Sequence, residues 1–94
     1  IEKLQKLMDG GKIQANQRTA WESIGLAFGT ILENEMDGMT WVTVIDGKKE
    51  YPALQFSSLL FDPASMVWNK IKNKQACDLK AEFARIKSEV EETM

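Results

Sequence analysis

Carboxylates are the side chains through which this chain could do chemistry at neutral pH. The 94 residues include no histidine and one cysteine. Histidine is the usual general base near pH 7 and the commonest transition-metal ligand. Ser–His and Cys–His nucleophile pairs, and a structural zinc site, are therefore ruled out within this chain. Asp37, Asp46 and Glu50 remain. They could serve as acid, base or ligand-gripping groups if they lined one apolar pocket that shifted a pKa. Glu33, Glu35 and Asp37 alternate just before Gly38, and such oxygens suit a hard cation. The twelve-residue loop and distal Glu of a calcium motif are missing, however. A solvated turn whose charge discourages edge pairing is the simpler reading, and no metal is expected.

The other chemistry-bearing residues have structural readings. Asp46 precedes Gly47, where Asp commonly serves turn geometry and bonds its own backbone. Cys77 has no partner for a disulfide and, beside Ala76 and Leu79, reads as a small buried hydrophobe. Gly25 and Gly29 sit inside a helical stretch, away from the free amides that would cradle phosphate. No cofactor is expected. A net charge of -2 argues against a nucleic-acid binder. No apolar run approaches eighteen residues, so no membrane insertion is expected.

The elements that must position these residues are legible from periodicity. Ile1, Leu4, Leu7 and Met8 have helical spacing, closed by Asp9-Gly10-Gly11. This helix is expected to be short, with residues 1–12 frayed or peripheral. A second helix starts between Ile13 and Thr19, or runs on from about Lys12. Thr19 and Glu22 have capping-box spacing. Trp21, Ile24, Phe28, Ile31 and Leu32 mark its buried face. Two glycines four apart in a helix cost about 1 kcal/mol each relative to Ala. They imply close approach of another backbone, with the sheet as the expected neighbour. Met39–Ile45 reads as a strand apolar on both faces, covered on both sides or central. Asp46-Gly47 signals a hairpin. The return strand, about 49–57, carries Pro52, which belongs at an edge or bulge. Asp62-Pro63 starts a third helix. Leu79, Phe83, Ile86 and Val90 mark the last.

Certain of these residues together resemble a known family. The run Ile24-Gly25-Leu26-Ala27-Phe28-Gly29, then Gly38-Met39-Thr40-Trp41 through Asp46, then Ala53-Leu54, then Pro63-Ala64-Ser65-Met66-Val67, resembles the DUF3806 family, a small bacterial domain of unknown function. The resemblance covers about residues 20–72. A basic residue often follows the family's Pro-containing helix start, and here Trp68-Asn69-Lys70 offers only Lys70. The resemblance implies a compact bacterial α+β domain and carries no activity or catalytic residue with it.

The expected fold is one α+β domain. A small antiparallel sheet, built on a hairpin at about 39–57, packs against an N-terminal helix and two C-terminal helices. The expected function is a non-enzymatic protein-interaction module, with an inhibitor or immunity-type partner as one form. Apolar surplus at Phe56, Leu59 and Leu60 points to a partner site at Phe61, Met66 and Trp68. Gly25, Gly29, Trp41, Asp46, Gly47, Asp62 and Pro63 carry structural roles. A homodimer through the edge without Pro52 is a further expectation. The alternative is a small-ligand binder or a carboxylate-only enzyme using Asp37, Asp46 or Glu50. A fragment of a longer protein is a third reading, because the chain starts at Ile1 rather than Met. For the same reason the sequence chooses between no compartments.

Overall fold

The computed structural model describes residues 2–11 and 13–93. Ile1, expected to head the first apolar stripe, and Lys12, the early start considered for the second helix, lie outside them. Four helices and three strands follow in the order α1 (Glu2–Asp9), α2 (Arg18–Glu35), β1 (Thr40–Asp46), β2 (Lys49–Phe56), β3 (Leu59–Phe61), α3 (Pro63–Lys72) and α4 (Leu79–Thr93). This is the α+β architecture expected, with one strand more than the sequence suggested.

The sheet is an antiparallel meander in the order β1-β2-β3. Gly47 has φ +62° while Lys48 stays outside the positive region, the pattern of a type II′ turn with Gly first. The turn closes on the pair Asp46–Lys49, and the register continues through Thr43–Pro52 and Trp41–Leu54 to Thr40–Gln55. A two-residue turn closes on a hydrogen-bonded pair, and such pairs alternate with non-bonded ones. Thr43–Pro52 therefore falls at a non-bonded position, with the proline nitrogen turned away from β1. β3 reaches only Leu54–Phe56 of β2, so that flank is open at Pro52 and no bond is lost. The edge position expected for Pro52 is met on the sheet's middle strand. β1, expected to be covered on both sides or central, is instead an edge strand without a buried residue. Its alternating apolar residues gave no sign that Ile45 would be left 70% exposed.

The third strand follows Ser57, which takes φ 54° to turn the chain. Its last residue, Phe61, pairs with Leu54 and enters the core. Core-facing positions on the sheet are thus Trp41, Leu54, Phe56, Leu59 and Phe61. They pack with α2 residues Trp21, Ile24, Phe28 and Leu32, with Val67 of α3, and with Leu79, Ile86 and Val90 of α4.

Helix ends show where local chemistry acts. At α3 the Asp62 carboxylate accepts from the Ser65 amide at 3.1 Å, with Pro63 in the first turn, as expected. Its far end is a Schellman turn: the Lys74 amide bonds Ile71 O and the Gln75 amide bonds Lys70 O. Lys74 takes the left-handed position, φ 57°, usually given to Gly. The capping box expected at Thr19 and Glu22 does not form. The helix begins a residue earlier, at Arg18, and its N-cap Gln17 makes no side-chain cap. The Gln17 amide oxygen instead accepts from Gln14 N at 2.7 Å, and Glu22 pairs with Arg18 at 3.0 Å. One glutamine links α1 to the start of α4. Gln5 Oε1 accepts from the Leu79 amide at 2.9 Å, capping α4, while Gln5 Nε2 donates to Cys77 O at 3.1 Å. Met8 of the same helix is buried in the core.

Candidate functional site

The two glycines explain how α2 and α3 come together. A Cβ on Gly25 would lie 2.3 Å from Pro63 O and 2.6 Å from Ala64 Cα. On Gly29 it would meet the Trp41 ring at 2.6 Å and the Pro63 ring at 2.8 Å. The close backbone neighbour is therefore the start of α3, not the sheet; the sheet contributes only the Trp41 side chain. Asp62 and Pro63 are fixed by this contact, which places the N-termini of α2 and α3 beside the hairpin.

A cleft of about 470 Å³ lies there, between the two helix starts and the stretch of β2 that β3 does not reach. Asp46, Glu50 and Tyr51 line it from the hairpin, Arg18 and Glu22 from α2, and Asp62 from the α3 cap. Two of the three carboxylates singled out in the sequence thus share one concavity, although both are exposed. Asp37 does not join them. It lines a separate cleft of about 220 Å³ with Lys87 and Glu91 of α4. Glu33 leaves the acidic trio, because α2 continues through Glu35 rather than ending at Leu32, while Glu35 lines the same cleft as Asp37. Glu33 and Glu35, two residues apart on a helix, point to different sides. Among the described residues no three acidic, Cys or His groups converge as a metal site.

The expected partner site is redistributed by the third strand. Phe61 is 8% exposed and belongs to the core, so it has no surface to offer. Met66 and Trp68 are partly buried against that core. The Arg18 guanidinium lies over the Trp68 ring, 5.6 Å from its centroid. This cation–π contact covers part of the indole and ties α2 to α3. Cys77 is half-buried against the core. Burial pushes its thiol pKa up, Glu82 adding to the rise and Lys70 opposing it. A thiol held protonated is a poor nucleophile.

The surface the sequence missed is the outer face of the sheet. By register it carries Val42 and Val44 of β1, Ala53 of β2 and Leu60 of β3. Leu60 is 52% exposed, Val42 and Val44 are half-buried, and Ala53 is fully buried among them. Ile45, on the helix-side face of the same edge strand, is 70% exposed. A sheet packed on one face normally presents polar residues on the other. The signal was available in the alternation Val42, Val44 against Trp41, Ile45, but choosing which set lies inward required knowing that β1 is an edge.

Comparison with known proteins gives a family and a relative. The family model described as a domain of unknown function (DUF3806) matches residues 1–83. A crystal structure from Bacteroides thetaiotaomicron VPI-5482 superimposes with a TM-score of 0.84 at 37% sequence identity, over 88% of this chain and 31% of that one. This chain therefore spans about a third of the length of that solved relative. No curated protein matches. Among the described residues, no helix is long and apolar enough to cross a membrane.

Proposed function

The chain belongs to the DUF3806 family, domains of unknown function, and on that premise we propose that it is a non-catalytic protein-interaction module that docks through the outer face of its sheet. The observation that carries this reading is Leu60, 52% exposed on the face opposite the helices, with half-buried Val42 and Val44 on the same face. A large apolar side chain left exposed beside partly exposed valines is a natural anchor for a docking partner. The want of any histidine supports the non-catalytic half of the reading. The similar solved chain is about three times as long, which supports a domain that works against other polypeptide. An inhibitor-type partner is one form such docking can take.

The test is affinity capture from lysate of the source cells, read by mass spectrometry, with Leu60→Asp and Trp68→Ala as variants. Loss of a stoichiometric partner in Leu60→Asp, with retention in Trp68→Ala, supports the sheet face. The reverse pattern moves the interface to α3.

One observation favours a second reading, small-ligand binding. Asp46, Glu50, Arg18 and Tyr51 meet in the cleft beside the hairpin, a mix of charge and aromatic surface able to orient a polar ligand. Capture of nothing above background, together with a metabolite that raises Tm in wild type and not in Glu50→Gln, would favour it.

A further inference from the structure

We propose that two copies of this chain pair through the free edge of β1, antiparallel and in register about Thr43, to form one continuous six-stranded sheet. The inference rests on the interaction reading and names one partner for it, a second copy. β1 runs seven residues in unbroken register with β2. Natural edges are guarded by lysine, proline, bulges or extreme shortness. This one has none of these between Thr40 and Ile45.

The hydrogen-bond alternation that follows from the turn fixes which groups face outward. With Asp46–Lys49 bonded and Thr43–Pro52 not, Trp41, Thr43 and Ile45 turn their N–H and C=O groups away from β2. A second β1 can bond them only if odd residues meet odd residues. Centring on Thr43 satisfies all three at once, since Trp41 meets Ile45, Thr43 meets Thr43, and Ile45 meets Trp41. That arrangement yields about six interchain backbone bonds.

The side chains match in the same register. Ile45, 70% exposed in the single chain, comes to rest beside the indole of Trp41 on the second copy, an aromatic–β-branched cross-strand pair. On the outer face Val42 meets Val44 twice, which doubles the apolar strip. No charge faces its like: Asp46 falls opposite Thr40. The contact is isologous, the symmetry of most small dimers.

The experiment is sedimentation equilibrium of the 94-residue chain from about 1 μM to about 1 mM, a span covering weak and moderate dimers. Thr43→Lys and Ile45→Ala are the variants, with folding checked by far-UV circular dichroism. Both sites are exposed, so the monomer fold survives either change. We expect a reversible dimer in wild type. Thr43→Lys sets two like charges face to face and weakens it at least about tenfold. Ile45→Ala weakens it less. A monomer throughout the range, or a dimer that both variants leave intact, overturns the inference. Leu60→Asp lies off this edge and should dimerise as wild type does. Loss of its captured partner with the dimer intact separates the two proposals, as does capture by a strictly monomeric wild type.

Discussion

Of the six glycines, Gly25 is the one where an added Cβ would come closest to its neighbours, and those neighbours are backbone atoms that cannot rotate aside. An alanine there gains about 1 kcal/mol of helix propensity but drives Cβ into Pro63 O at 2.3 Å. Separating α2 from α3 to relieve it costs more than that gain, since overpacking commonly costs about 1–3 kcal/mol before any wider shift. Urea unfolding of Gly25→Ala should show a net loss of about 1 kcal/mol or more. Gly29→Ala should lose less, because the Trp41 ring and Pro63 Cγ that it meets are side-chain atoms. The spacing of the two glycines revealed that something packs close. It did not reveal what, because the partner lies nearly forty residues away and the glycines specify only an absence of side chain. Trp68 was similarly ambiguous. It packs partly against the core and is faced by Arg18, a residue with no pattern of its own in the sequence.

At the scale of the element, self-contained signals were legible and competing ones were not. Asp62-Pro63 announces a helix start whose donors and acceptor all lie within four residues, and the structure uses it as read. Asp62→Ala should cost about 1 kcal/mol. Thermal unfolding checks this, and Asp62→Asn should recover most of the loss, since an Asn side chain caps nearly as well. Thr19 and Glu22 had equally good spacing but lost to Arg18, which claims the Glu22 carboxylate. A third strand of three residues, Leu59–Phe61, is too short for alternation to declare. It exists because Ser57 turns the chain and Leu54 offers a partner for Phe61. Pairing in that strand buries Phe61, which the sequence placed in a partner site, and leaves Leu60 exposed. Glu82 ties the last two helices, 3.4 Å from Lys70 of α3 and 2.9 Å from Arg85. That contact also had no local signature.

The molecule as a whole is a helical layer against one face of a meander, and the sheet keeps Ile45 and Leu60 exposed. The fold class was readable because 3.6- and 2-residue periodicities segregate cleanly along the chain. The candidate site was not, because exposure of an apolar residue depends on which strand ends up outermost, a property of topology rather than composition. One feature of the fold has a kinetic meaning. The Gln5 side chain joins residues more than seventy positions apart, whereas the hairpin closes across two. Loop closure becomes more costly with the logarithm of its length, so the docking of α1 onto α4 is a late event in folding and an early one in opening. The first turn of α4 should therefore breathe while the hairpin stays shut, a sub-global opening of the kind native-state hydrogen exchange resolves. In Gln5→Ala the Leu79 amide should exchange at least about tenfold faster, with the amides at the centre of α2 unchanged. Equal acceleration at both places would mean that the domain opens only as one unit.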